Sequence, residues 1–222
     1  MCDYEVKYYD YEKGDWVLYK CPREQKPRCM FHDGSSYESR PDDVRNEFYK
    51  MVEDAIQNDQ PLRCIGFNLP DITVMGKFTK PVYFSNATFQ RADFSNVEFQ
   101  QEANFSFATF QQQANFSYAT FQQEADFSKA TFQQEEYFSH ATFQQAYFLG
   151  ATFQQQADFS YANFIGEVEF INTTFPNEDR TNKHIPIRFD YSTFRSRVRF
   201  IGKSDKPLDL SNVSFKGLIL IM

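Results

Sequence analysis

Long apolar runs are missing from this 222-residue chain. No stretch approaches 18 consecutive apolar residues, so no membrane span is expected. The start, Met1-Cys2-Asp3-Tyr4-Glu5, has no basic segment followed by an apolar one, which argues against a secretory leader. Only four cysteines are present. Without a secretion signal they point to a reducing cytoplasm rather than a disulfide scaffold. Histidines number three, and His32, His140 and His184 lie far apart in sequence. Neither a Gly-rich phosphate loop nor a Gly-x-Ser-x-Gly elbow occurs. Together these absences argue against an enzyme, and the remaining enzymatic reading is a site in the N-terminal head.

Positive charge is scarce in the middle of the chain. Residues 84–175 hold 2 Lys/Arg against 10 Asp/Glu, residues 1–83 hold 12 against 15, and residues 176–222 hold 9 against 5. The three net charges, −8, −3 and +4, add to the −7 of the whole. The middle is therefore acidic and the C-terminal part basic, with Arg195, Arg197 and Arg199 alternating along one segment.

What the chain has in excess is phenylalanine at a fixed period, the first thing to look for in a sequence. From Phe84 to Phe175 the rings recur every five or six residues. The unit is a pair of pentads, as in Ala119-Thr120-Phe121-Gln122-Gln123 followed, after Glu124, by Ala125-Asp126-Phe127-Ser128-Lys129. A step of five rotates roughly 140° on an α-helix, which would split the rings into two stripes. A flat strand fails because the alternation lasts only three residues. A coil that turns a corner at each pentad fits: Ala and Phe, two apart, share one face of a short extended segment, and the residue between them faces out.

Four such sides close a square of about 22 residues, and coils stack through parallel ladders about 4.8 Å apart. The handedness of parallel crossovers predicts a right-handed coil. Phe84, Phe105, Phe127, Phe148 and Phe170 should stack as one column, and Phe89, Phe110, Phe132, Phe153 and Phe175 as the next. Phe94, Phe116, Phe138 and Phe159 form the third, and Phe99, Phe121, Phe143 and Phe164 the fourth. Each buried ring contributes roughly 2–3 kcal/mol. Thr88, Thr109, Thr131, Thr152 and Thr174 should form an exposed ladder. Glu136 occupies an inward position that Ala fills elsewhere, so either it tilts outward or its coil is distorted. Asp93, Asp126 and Asp158 read as corner formers bonding local backbone.

These pentads resemble the pentapeptide-repeat family, whose motif is a small residue, Asp or Asn, Leu or Phe, then two polar residues. The resemblance implies a right-handed quadrilateral parallel β-helix, an all-β solenoid. It departs from the family pattern in its almost uniform Phe and its six-residue steps. Residues 1–60 read as a small α/β head and residues 61–222 as the β-helix. Residues 4–20 suggest a hairpin turning at Lys13-Gly14-Asp15. Pro41 opens a helix whose apolar face is Val44, Phe48, Met51, Val52, Ala55 and Ile56. Such a helix would cover the first coil's open edge. Polar segments near 176–187 and 202–207 read as loop insertions.

Cys21, Cys29 and His32 are candidate zinc ligands, since zinc takes four soft thiolate or imidazole donors. Cys64 is the expected fourth ligand, with Cys2 the alternative. The metal would be structural, because so small a head has little core. The functional expectation is a non-enzymatic, cytoplasmic interaction scaffold holding an unidentified protein partner. A homodimer through the apolar C-terminal strand 218–222 is the expected self-association. The second reading is an acidic DNA mimic acting on a DNA-binding enzyme such as a type II topoisomerase, a role the resemblance brings with it. Its net charge falls about once per 2.5 Å of coil, against about 1.7 Å in duplex DNA. Direct nucleic-acid binding is not expected.

Overall fold

The computed structural model describes residues 2–23, 29–176, 187–201, 210 and 212–221. It is a parallel β-solenoid of about 7 turns with a helical cap and a hairpin at the N-terminal end. Each side of the square is a stack of strands mostly two residues long. Side I runs through Ala103–Asn104, side II through Thr109–Phe110, side III through Ala114–Asn115 and side IV through Glu98–Phe99, and the longer strand Thr120–Asp126 turns from side IV, where Thr120 pairs with Glu98, to side I, where Ala125 pairs with Ala103. Every strand pairs in parallel with the strand one coil above or below, so Phe99 sits on Phe121 and Thr109 on Thr131.

All four expected ring columns are present. Phe105 stacks on Phe127 at 5.1 Å, Phe110 on Phe132 at 4.9 Å, Phe116 on Phe138 at 5.1 Å and Phe121 on Phe143 at 4.9 Å. Within one coil the rings meet edge to face, as Phe116 and Phe127 do at 5.3 Å. Offset stacks and T-shaped contacts are the two geometries that a ring quadrupole favours, and both recur through the whole tube. Ala at the other inward position leaves the space. Phe78 and Leu69 extend two columns downward, and Phe194 and Phe215 extend one upward. Of the outward threonines Thr174 is exposed as expected, whereas Thr88, Thr109, Thr131 and Thr152 are half-buried, because their neighbours a coil away cover them.

Two of the four corners share one conformation. After Ala-Asp/Asn-Phe-Ser the next residue is left-handed: Asn96, Tyr118, His140, Tyr161 and Tyr191 at one corner, Asn86, Phe107, Lys129 and Gly150 at the other. The Asp or Asn carboxyl or amide oxygen accepts from the Ser N–H, at 2.9 Å for Asp93 and 2.8 Å for both Asp126 and Asp158. These acids form corners, as expected. The other two corners carry the Gln-Gln segment and its extra residue.

Glu136 stays inward, in register with Ala114 and Ala157, and is 1 % exposed. Its carboxylate oxygen Oε2 accepts from the Ala114 N–H at 2.7 Å, and Oε1 has no partner. Burial pushes this carboxyl well above its ordinary value.

The head closes the lower end. β1 (Glu5–Asp10) and β2 (Asp15–Lys20) form an antiparallel hairpin with Gly14 left-handed at the turn. A short helix, α1 (Ser36–Ser39), precedes α2 (Pro41–Gln57), which buries Val44, Phe48, Val52 and Ala55. Phe48 reaches Phe84 in the tube at 6.3 Å. Ile56, expected on the buried face, is exposed at the rim beside Gly76. The first coil opens at Leu62–Arg63, and its backbone edge is satisfied in part by the head: Asn68 N–H donates to Phe31 O at 2.7 Å. The loop assignments at 177–186 and 202–207 fall outside the described residues.

Candidate metal centre

Four ligand-type side chains converge where the hairpin meets the first coil. Cys2 lies just before β1 and Cys21 just after β2, so closing the hairpin brings its two ends together. Cys2 N–H donates to Arg23 O at 2.6 Å, and Cys21 N–H to Tyr4 O at 3.1 Å. Cys29 and His32 come from a tight turn in which the His32 and Asp33 N–H groups both donate to Cys29 O, at 2.9 and 3.0 Å. The ligand atoms of Cys2, Cys21, Cys29 and His32 all lie within 4.8 Å of one another, and all four residues are buried.

The separations match a tetrahedron. With zinc–sulfur bonds near 2.3 Å and zinc–nitrogen bonds near 2.0–2.1 Å, the edges should be about 3.8 Å for S···S and about 3.6 Å for S···N. Cys21 Sγ and Cys29 Sγ are 3.6 Å apart, Cys2 Sγ and His32 Nδ1 3.7 Å, and Cys29 Sγ and His32 Nδ1 3.2 Å. The imidazole is set for ligation through Nδ1. Its Nε2 is 2.9 Å from Ile65 O, and a carbonyl can only accept, so Nε2 carries the proton. The Tyr4 ring stacks on the imidazole at 4.0 Å. Gly66 makes that approach possible: it has φ +68°, and a Cβ there would stand 1.9 Å from Tyr4 Oη.

The thiols carry the electrostatic signature of crowding. Burial opposes ionisation of Cys2, but hydrogen bonds from the Cys29 and Tyr4 backbone and from the two neighbouring thiols bring it below its ordinary value. Burial pushes Cys21 up to about 12 and raises Cys29 as well. Three thiols this close cannot all ionise alone. A dication among them removes that conflict, because a coordinating thiol is deprotonated outright.

Of the four ligands chosen from the sequence, Cys21, Cys29 and His32 come together and Cys64 does not join them. Cys64 follows the first strand of side I and is fully buried in the main core. Burial alone raises its pKa. Cys2 takes the fourth place. The hairpin register was the signal for it: Glu5 opposes Lys20, so the residues continuing from both ends must meet.

The hairpin also lies along side I. Tyr83 Oη donates to Asp10 Oδ1 at 3.3 Å, Arg63 pairs with Glu12, and Tyr11 Oη donates to Glu124 Oε1 at 2.9 Å. Burial beneath this strap raises the Glu124 and Asp126 carboxyls. The four-residue cluster thus sits at the root of an element that grips the tube several coils away.

A tube of parallel coils built on an Ala-x-Phe pentad defines a class of protein, the β-solenoids with a square section. Residues 77–120, 94–135, 116–163 and 138–177 match the family described as Pentapeptide repeats (9 copies). Neither a curated protein nor a solved structure shows a match to the chain.

Proposed function

We propose that this protein is a non-enzymatic interaction scaffold, with a head whose hairpin and turn are pinned together by a structural zinc ion on Cys2, Cys21, Cys29 and His32. The observation that carries the scaffold reading is the tube itself. Among the described residues its interior is filled by rings and alanines, and its outside is a set of straight, mostly polar rows. A cleft of about 540 Å³ does lie between α2 and the first coil, lined in part by Tyr19, Arg23, Met51 and Arg63. Both of its arginines are already committed, Arg23 to Glu47 at 3.2 Å and Arg63 to Glu12.

Support for zinc rests on the four donors, their tetrahedral spacing and the Ile65 carbonyl behind His32. Zinc bound there joins the two ends of the hairpin to the turn that precedes the cap. Among the described residues no helix is long and apolar enough to cross a membrane. Four free, buried thiols favour a cytoplasmic protein. The DNA-mimic reading draws less support. Glu136 is interior, Glu124 and Asp126 lie under the strap, and Glu167 and Glu169 are answered by Arg197 and Arg199. Few of the ten acids form an open row.

The test is affinity capture from the source cells with the full chain and with variants carrying lysines on one face at a time. Thr109→Lys with Thr131→Lys alters side II, and Thr120→Lys with Thr142→Lys alters side IV. A partner held by the wild type and lost from one face variant supports the scaffold. Identical recovery from all three proteins contradicts it.

A further inference from the structure

Side I treats its acidic residues in two ways along its length. In the upper coils Glu167 and Glu169 are met by arginines, Arg197 at 3.4 Å from Glu167 and Arg199 on Glu169. Beneath the hairpin the acids have no such answer. Ala103 pairs with Ala125, which sets Glu102 one coil below Glu124, about 4.8 Å away along the tube. Asp126 takes the next outward position in the coil of Glu124, directly above Asn104. Among the described residues no cation pairs with Glu102, Glu124 or Asp126.

The hairpin nevertheless lies on this row. Asn104 Nδ2 donates to Tyr9 O at 3.4 Å, and Tyr11 Oη donates to Glu124 Oε1 at 2.9 Å. Among the described residues Tyr11 is the hairpin's one donor to the three acids. The hairpin's lysines are directed elsewhere: Lys13 pairs with Asp10 at 3.8 Å, Lys20 with Glu5 at 3.3 Å, and Lys7 is exposed. The acids of its tip are also occupied, Asp10 by Tyr8 and Tyr83 and Glu12 by Arg63. In the coil above, Tyr147 stands over Asp126, and Arg199 beyond it is held by Glu167 and Glu169.

One neutral hydroxyl cannot offset three close negative charges. Covering the row removes water, which disfavours the charged form, and repulsion within the row grows as the local dielectric falls. A proton removes both costs and leaves a carboxyl oxygen that still accepts from Tyr11. Docking of the hairpin tip is therefore linked to proton uptake.

We propose that the hairpin is a proton-operated clasp on side I, closed when Glu124 and Asp126 carry protons and loosened when they are ionised. Burial raises both carboxyls while the strap is down, and the charges of Asp126 and Glu102 raise Glu124 further. A carboxyl raised in the closed state favours closure below its ordinary value, and that contribution is lost as pH rises through the closed-state value. Rising pH thus frees the tip, while the hairpin's root at Cys2 and Cys21 stays in place. The uncovered strip is a row of carboxylates, so opening offers side I to cationic partners and closure withholds it.

Solvent access to the Tyr11 ring tests this in the full chain. It is read on selectively labelled tyrosine rings as line broadening by a neutral soluble nitroxide, scaled to the exposed ring of Tyr191. The variant is Glu124→Gln/Asp126→Asn. Gln keeps an acceptor for Tyr11 and Asn keeps one for the Ser128 N–H, so the coil is retained, which unchanged phenylalanine ring signals check. The wild type should show about threefold more broadening of Tyr11 at about pH 8.5 than at about pH 5.5, and the variant equal broadening at both. Loss of a metal in acid would loosen the root in both proteins and acts in the opposite direction. Access to Tyr11 that does not rise with pH in the wild type overturns the proposal. So does a rise that persists undiminished in the double variant, because some other group would then carry it.

Discussion

At the scale of the residue, Glu136 is the clearest departure from the repeat. It occupies an Ala position, has one orphan oxygen, and borrows a ladder donor from Ala114. Its folded pKa lies above the unfolded value near 4.5. A raised carboxyl stabilises the fold fully below about pH 4.5, and that contribution is lost as pH rises through the folded pKa. Glu136→Ala should therefore raise the thermal midpoint at pH 8 and have a smaller effect near pH 4.5. The difference expected at pH 8 is about 1–3 kcal/mol, the cost of an unsatisfied buried polar group. Denaturant titrations of both proteins at the two pH values measure it; a variant less stable at pH 8 contradicts the reading. A ring in the core gives the opposite case. Phe127→Ala should cost about 3–5 kcal/mol, whereas Phe127→Leu, closer in volume, should cost under about 1.5 kcal/mol. Equal losses in chemical denaturation would mean that the stacked column contributes little beyond its area.

At the scale of the element, the hairpin is more than a lid. It supplies Cys2 and Cys21 at its root and Tyr11 and Glu12 near its turn. Gly66→Ala should loosen it without touching a ligand, because the added Cβ meets Tyr4 and the backbone is left-handed. The expected sign is faster hydrogen exchange in β1 and β2 and unchanged exchange in coils beyond residue 130. The four ring columns, the hairpin and the cap helix were legible in the sequence because each rests on a local period or a turn residue. Cys2 was harder to read. Its role depends on which atoms the closed hairpin brings within a few ångströms, and Cys64, beside Ile65 whose carbonyl holds His32, looked equally placed. Ile56 was misread because helical spacing marks a face but not where the partner surface ends. The inward Glu136 was visible as an anomaly, yet only the Ala114 N–H shows why it stays.

At the scale of the whole molecule, the strap joins the head to the tube, and a zinc ion on the four clustered donors would pin the root of that strap. Removal of zinc should leave the ring stack intact, since the columns need no ligand from the head. It should release residues 2–21 from side I and let Glu124 and Asp126 ionise more readily as water returns. Chelation is thus expected to lower the stability of the N-terminal coils, read by hydrogen exchange, while the coils around Phe143 and Phe164 keep their protection. This follows from nearest-neighbour coupling in stacked repeats. The central claim is that four particular side chains hold one metal ion at the root of that strap. Zinc-edge X-ray absorption on the purified full chain, with the metal counted, tests it most directly. The account predicts one zinc per chain bound by three sulfurs at about 2.3 Å and one nitrogen at about 2.0–2.1 Å, lost in Cys2→Ser and kept in Cys64→Ser. Protein that takes up no zinc when reduced, or that loses it in Cys64→Ser and not in Cys2→Ser, would contradict it.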